Sequence, residues 1–164
     1  LGITAAIFIR IIPLSFIKYC SFLIFLITLI LTSMTLISGI AVHIHGSSRW
    51  LRLGGIIFQP SELLKITYIL YLARILEKKQ YKPFSIKTHY LPIIIHFIPV
   101  FIVLMMQPDF GLTVTLIITT VALLFLAGMP YKHIFGAVSA LIPIGLLLII
   151  SKPYRLKRIL TFLD

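Results

Sequence analysis

The sequence predicts an all-α fold, a polytopic bundle of transmembrane helices that forms a single membrane domain over residues 1–164. Three observations support this prediction. Of the 164 residues, 60% are hydrophobic and only 12% are charged, whereas soluble domains carry about 25% charged residues. The apolar residues form runs close to the roughly 20 residues that cross a bilayer. The charged residues lie mainly between these runs, so no soluble domain is predicted.

Five runs are predicted to be full spans, and they cover residues 19–38, 60–76, 90–106, 110–128 and 134–150. The first run of the chain, residues 1–12, is interrupted by Arg10 and is too short to cross, so we interpret it as a partial span. Residues 39–57 are predicted to be a polar, glycine-containing loop. Because the chain begins at Leu1 and stops just after a basic segment, we interpret it as truncated at both ends.

The basic residues predict the orientation of the bundle. The net charge is +11, from 15 Lys and Arg against 4 Asp and Glu. Because these residues flank apolar runs, they indicate a membrane protein and not a nucleic-acid partner. Alternating spans place eight on one side and six on the other, with Lys65 inside a helix. The positive-inside rule then puts residues 77–89 in the cytoplasm and residues 46–53 outside, which leaves six outer basic residues to be explained.

Two of the four acids, Glu62 and Asp109, lie at or near membrane depth, where an ionisable group suggests function. Each follows a proline near the start of a predicted span on the outer side, in the segments Gln59-Pro60-Ser61-Glu62 and Gln107-Pro108-Asp109. One interpretation is purely structural, since proline and acids both favour helix starts. The other adds Lys65, which can pair with Glu62 inside the bundle. Two helix N-termini on one side would also favour an anion there.

The outer loops supply further candidates for binding an anion. Arginine offers a planar fork that suits phosphate, and Trp50 is predicted to be an interfacial anchor. An alternative is ordinary contact with lipid headgroups. Together these residues predict a site for a phosphorylated amphiphile at the outer face. The sequence shows no nucleotide-binding loop and no catalytic triad, and we predict neither a cofactor nor a metal site from it. The outer candidates are Arg49, Trp50, Arg52, Tyr154, Arg155 and Arg158.

At these residues the chain resembles the SEDS family, the FtsW/RodA/SpoVE group of bacterial shape, elongation, division and sporulation proteins. Four blocks resemble the family in order and spacing: residues 46–54, residues 58–65, residues 107–111 followed by 124–128, and residues 153–158 followed by 162–164. The third block includes Gly111. Phe110 and residues 124–128 are more similar to the FtsW branch than to the RodA branch. Leu112 stands where the family usually has Thr, so a local hydrogen bond of the family is not expected here.

The resemblance implies a roughly ten-helix transmembrane fold, since helices and closed barrels are the structures that span membranes. It also implies a peptidoglycan glycosyltransferase of the bacterial inner membrane that polymerises lipid II, with a septal role in cell division. The implied partners are a class B penicillin-binding protein and other divisome or elongasome membrane proteins. A divalent metal is a further expectation for the full-length enzyme.

The resemblance also limits what this chain is expected to do. The catalytic acid of the family matches no residue here, so we assign no catalytic residue and expect the chain to be inactive alone. The alternative function is a flippase for lipid-linked precursors. Glu62, Lys65 and Asp109 would then line a path across the membrane.

Overall fold

The computed structural model describes residues 10–37, 40–44, 47–78, 85 and 90–150. The chain divides into two units, Leu1–Ala127 and Gly128–Asp164, and the last helix belongs to the second unit. In chain order the described elements are α1 (Leu14–Met34), β1 (Ala41–Ile44), β2 (Ser47–Leu53), β3 (Ile56–Phe58), α2 (Pro60–Glu77), α3 (Leu91–Met106), α4 (Phe110–Leu126) and α5 (Tyr131–Ile150).

Each of the five predicted spans coincides with a helix, and the main difference is at the start of the first. Helix α1 begins directly after Pro13 and not at residue 19, so Lys18 lies within it. Among the described residues, α1 is the one helix that is long and apolar enough to cross a membrane, with 21 residues. Helices α3 and α4 and residues Tyr131–Leu147 are shorter apolar helices. Residues 1–9 of the predicted partial span lie outside the described residues.

The all-α prediction is incomplete, because the segment predicted as a loop forms most of a three-stranded antiparallel sheet, in the order β1-β2-β3, that ends at Phe58. The turn between β2 and β3 consists of Gly54 and Gly55, with φ angles of 54° and 92°. These angles match a type I′ hairpin turn, which requires positive φ at both central residues and therefore favours glycine. The pair of glycines between apolar residues was a hairpin signal, but the sequence analysis assigned it to a loop.

A bulge interrupts the pairing of β1 with β2. Val42 lies opposite Trp50 and His43 lies opposite Ser48, so Arg49 is the extra residue of β2. A β-bulge bends its strand and changes the direction in which a side chain points. On the same strand Leu51 is 3% exposed, and β2 contacts α2. This side of the sheet therefore packs toward the helices.

Helices α1 and α2 form an antiparallel pair. At one end Lys18 makes an ion pair with Glu77, and Nη1 of Arg74 donates to the carbonyl oxygen of Tyr19 at 3.1 Å. Midway along the pair, the hydroxyl oxygens of Thr28 and Thr67 are 2.6 Å apart and buried. Each hydroxyl also has an acceptor in its own helix. The start of α1 therefore lies beside the end of α2.

Aromatic and polar contacts join α2 to α3 and α4. The hydroxyl group of Tyr68 lies 3.1 Å from Oγ1 of Thr120 on α4. The hydroxyl group of Tyr71 lies 2.8 Å from Nε2 of His96 on α3. Both tyrosine rings also pack against Phe25 of α1. Helix α2 is thus the central helix of this unit, since it contacts α1, α3 and α4.

We predict that the Thr28–Thr67 contact contributes only modestly to stability. Side-chain hydrogen bonds between membrane helices average about 0.6 kcal/mol, and each hydroxyl here keeps an acceptor in its own helix. In a double-mutant cycle of Thr28→Val and Thr67→Val, measured by unfolding in detergent, the coupling energy should be about 0.6 kcal/mol. A coupling energy of ~3 kcal/mol would contradict this account, because it lies well above the values measured for hydrogen bonds between membrane helices.

Candidate functional site

The candidate site lies at the end of the bundle where α2 and α4 begin. Helix α2 starts with Pro60 in its first turn, after Gln59 in an extended conformation. Proline favours this position because its fixed φ angle suits a helix and its missing N–H group would be unpaired there. Pro60 and Ser61 are buried, and Nε2 of Gln59 donates to Oγ of Ser61 at 2.9 Å. The segment Gln59-Pro60-Ser61 therefore forms a buried start of α2, with Gln59 bound to Ser61.

Helix α4 starts in a related way. Asp109 is its N-cap residue, and Oδ1 of Asp109 accepts a hydrogen bond from the backbone N–H of Leu112 at 3.3 Å. This bond satisfies one of the N–H groups left unpaired at a helix start. Asp109 is 7% exposed. We call residues 107–109, which link α3 to α4, the α3–α4 turn.

Arg49 binds the α3–α4 turn with its whole guanidinium group. Nε donates to the carbonyl oxygen of Gln107 at 3.0 Å, and Nη2 donates to the carbonyl oxygen of Pro108 at 2.6 Å. Nη1 lies 3.6 Å from Oδ1 of Asp109. The Arg49 side chain is 20% exposed. Arg49 was predicted to bind phosphate, but in this structure its donors are directed at the turn, so its observed role is to hold the α3–α4 turn.

Gln107 connects the same turn to the end of α1. Its side chain is 1% exposed, and Nε2 donates to the carbonyl oxygen of Thr32 at 2.9 Å and to Oγ1 of Thr35. Oε1 is buried and has no hydrogen-bond partner within the described part of the chain. The amide group of Gln107 therefore binds the C-terminal turn of α1 through its two N–H groups alone.

The predicted pair between Glu62 and Lys65 is present, but its predicted interior location is wrong for this chain. Nζ of Lys65 lies 2.7 Å from Oε2 of Glu62, three residues apart on α2. The Glu62 side chain is 56% exposed and that of Lys65 is 32% exposed. The spacing determines that the two side chains can meet, whereas their exposure depends on how the helix packs.

The other predicted residues within the described part of the chain, Trp50, Arg52 and Gly111, have separate surroundings. Trp50 is half-buried and Arg52 is exposed, both on β2. Gly111 is exposed in the first turn of α4, and a Cβ atom there would meet nothing within 4 Å. Three predicted residues, Tyr154, Arg155 and Arg158, lie outside the described residues. Their role in binding an anion stays a prediction.

Thr32 and Thr35, which bind Gln107, were not among the predicted site residues. Thr28, Thr32 and Thr35 follow a helical spacing within an otherwise apolar run. All three are buried in the structure. A polar stripe at that spacing indicates one face of a helix turned toward a polar partner, and this was the signal that would have found them.

The arrangement compensates both acids at this end of the bundle. Arg49 lies beside Asp109, and Lys65 pairs with Glu62. Each acid at this end of the bundle therefore lies beside a basic side chain. In residues 10–37, 40–44, 47–78, 85 and 90–150, no three His, Cys, Asp or Glu side chains are placed to hold a metal ion.

Comparisons with known proteins agree with these motifs. A family model for the FtsW, RodA and SpoVE proteins, described as cell cycle protein, matches residues 1–164. The chain belongs to the FtsW/RodA/SpoVE family. The resemblance predicted from the four sequence blocks is therefore confirmed.

Relatives named probable peptidoglycan glycosyltransferase FtsW are similar to this member of the FtsW/RodA/SpoVE family over part of their length. The protein from Trichlorobacter lovleyi is 38% identical over 138 residues, which cover 84% of this chain and 36% of the relative. The protein from Alcanivorax borkumensis is 31% identical over 170 residues, which cover 100% of this chain and 42% of the relative. The chain thus spans about two fifths of the length of these relatives.

Solved structures of the FtsW/RodA/SpoVE family share the fold. The rod shape determining protein RodA from Thermus thermophilus matches with a TM-score of 0.70 and 25% identity, over 87% of this chain and 46% of RodA. A chain from a peptidoglycan synthase complex that coordinates polymerization and crosslinking matches with a TM-score of 0.77 and 25% identity, over 99% of this chain and 48% of that chain. The helices and the sheet described above therefore belong to a fold seen in solved proteins.

We predict that Arg49→Ala destabilises the α3–α4 turn and that Arg49→Lys does not restore it. Hydrogen bonds to charged groups contribute about 1.5–3 kcal/mol each, and a lysine ammonium cannot reproduce the planar fork that binds two carbonyl groups. The measurement is resistance of the purified chain in detergent to heat and to proteolysis. The matched control is Arg52→Ala, which removes an exposed arginine from the same strand. Equal losses in the two alanine variants would contradict the role assigned to Arg49.

We predict that Glu62→Gln has little effect on the stability of the isolated chain. An exposed ion pair contributes about 0–1 kcal/mol, and the Glu62 side chain is 56% exposed. Asp109→Asn, at a buried cap, provides the contrast in the same unfolding experiment. A loss of about 3–5 kcal/mol in Glu62→Gln, as expected for a broken buried pair, would restore the interior interpretation.

Proposed function

We propose that this chain is a membrane-embedded part of a bacterial peptidoglycan glycosyltransferase that polymerises lipid II during cell division. Membership of the FtsW/RodA/SpoVE family supports the enzyme class, because relatives at 37–38% identity are named probable peptidoglycan glycosyltransferase FtsW. The same names favour the division branch over elongation. The matched chain of a synthase complex supports a class B penicillin-binding protein as partner.

The proposed location is the inner membrane, with several spans. Helix α1 has the length and composition of a span, and large apolar side chains along it are exposed in this chain, including those of Phe16, Leu23 and Ile30. Exposing such side chains to water costs free energy, whereas contact with lipid or with further helices does not. The shorter helices would cross with help from their flanking segments, since a bilayer thins around short spans.

The observation that supports the site best is that α2 and α4 start at the same end. They contact each other through Tyr68 and Thr120, about 12 and 15 Å along their axes from their first residues at 1.5 Å per residue. Arg49, close in sequence to the start of α2, binds the turn that precedes α4. Two positive dipole ends thus lie on one side, with their acids already compensated. We assign this end to the pyrophosphate of the substrate.

In the proposed reaction, the 4-hydroxyl group of one lipid II attacks C1 of the other lipid-linked sugar chain. The C1–oxygen bond breaks, and undecaprenyl pyrophosphate leaves. A carboxylate elsewhere in the enzyme accepts the hydroxyl proton as general base. Neither Glu62 nor Asp109 is assigned that role, because each is engaged by a cation. This chain contributes the electrostatic part, in which fixed positive groups stabilise the charge that develops on the leaving group.

A chimera tests the proposal directly. The residues of the Trichlorobacter lovleyi FtsW that match this chain are replaced by residues of this chain, and the purified chimera is given lipid II and its class B penicillin-binding protein. We expect glycan strands, and we expect Arg49→Ala in the chimera to lower their yield strongly because the α3–α4 turn is no longer held. A well-folded chimera that moves labelled lipid II across vesicles but makes no polymer would instead favour the flippase.

We predict that the 164-residue chain alone does not polymerise lipid II. General acid–base catalysis supplies about 10²–10⁴-fold of rate, and no residue of this chain is assigned as the base. The chain in detergent is incubated with lipid II and a penicillin-binding protein whose own transferase activity is blocked. Glycan strands longer than the disaccharide would show that the base lies within these residues.

A further inference from the structure

The outer sheet has a second face that the site above does not use. Leu51 is buried on the side of β2 that faces the helices, and alternation places its neighbours Trp50 and Arg52 on the other side. Arg49, at the bulge, contacts the α3–α4 turn. Val42 lies opposite Trp50 on β1, and Ile57 lies opposite Arg52 on β3. We call Val42, Trp50, Arg52 and Ile57 the outer sheet face. It combines three apolar side chains with one cation.

This face is partly open in the described structure, where Val42 and Trp50 are half-buried. Arg52 is exposed and has no ion-pair partner among the described residues. The three described acids have other partners: Glu62 and Glu77 pair with lysines, and Asp109 lies beside Arg49. Ile57 is 39% exposed, and Ile56 at the hairpin turn is 71% exposed. An apolar hairpin with an uncompensated cation suggests a partner that is both apolar and anionic.

The position of the sheet along the bundle identifies that partner. Helix α1 has 21 residues, which is about 32 Å at 1.5 Å per residue, close to the roughly 30 Å hydrocarbon core of a bilayer. The sheet follows the end of α1 and leads directly into Pro60 at the start of α2. It therefore lies at the level where a span ends, which is where tryptophan side chains concentrate in membrane proteins.

We infer that the outer sheet face rests on the outer lipid interface, with Trp50 and Ile57 at the boundary of headgroups and acyl chains and Arg52 bound to phospholipid phosphate. The contact fixes the height of the sheet, and through Arg49 on its other face it fixes the height of the α3–α4 turn. The inference uses the membrane location proposed above, but it does not depend on the identity of the substrate.

Trp50 is the single tryptophan of the chain, so its native fluorescence tests the inference. The chain is reconstituted in vesicles of phosphatidylcholine and phosphatidylglycerol, and lipids with a spin label near the headgroup or near the acyl-chain end serve as quenchers. We expect the shallow label to quench more strongly than the deep one, as for an interfacial residue, and aqueous iodide to quench little.

The role of Arg52 is tested by energy transfer from Trp50 to dansyl-labelled lipids. The preference for labelled phosphatidylglycerol over labelled phosphatidylcholine should fall up to about fivefold in Arg52→Gln, the equivalent of ~1 kcal/mol per basic residue at an anionic surface. Lys78→Gln removes an exposed cation at the opposite end of α2 and should leave the preference unchanged.

Three outcomes would overturn the inference. Strong quenching by iodide but not by lipid, in a chain that floats with the vesicles, would place the face in water and leave the proposed function intact. Quenching by neither would mean that protein covers the face. Failure of the chain to float with vesicles would reject both this inference and the membrane location in the proposed function.

Discussion

The end of this unit where α2 and α4 begin depends on the contacts of the Arg49 guanidinium group. It satisfies two carbonyl groups of the α3–α4 turn and lies beside the carboxylate of Asp109. Carbonyl groups at a helix end have no partner within their own helix, and a buried carboxylate is costly without a cation. Because Arg49 belongs to a strand while its partners link two helices, a single side chain joins the sheet to the bundle. Gln107 extends the connection to α1.

The helices were predictable because each depends on local features, namely an apolar run of sufficient length and a proline or acid at its start. The sheet was not predicted, because strands of three to seven residues gain their stability from pairing between segments. The role of Arg49 is non-local in the same sense. Its planar fork can bind phosphate or carbonyl groups. Which of them it meets depends on the bulge at Arg49, and the bulge depends on the register of β1 with β2. The pairing of Glu62 with Lys65 follows from spacing, but its exposure follows from packing.

The two arginine residues of β2, Arg49 and Arg52, have different physical roles in the described structure. Arg49 is consumed by contacts within the fold, so its charge is largely compensated. Arg52, three residues later, points to the other face of the same strand and keeps its charge exposed. A count of basic residues treats the two alike, whereas strand alternation and one bulge assign one to structure and leave the other available.

The hydroxyl groups of the helices have a consequence for the order in which the protein assembles. Thr28, Thr32, Thr113 and Thr120 each donate to a carbonyl oxygen three or four residues earlier. A helix equipped in this way can enter an apolar phase by itself, since its polar groups are satisfied before any neighbour arrives. Gln107 has no such arrangement, because the acceptors of its amide group belong to α1. The amide group of Gln107 therefore gains these two hydrogen bonds only when the α3–α4 turn meets the end of α1.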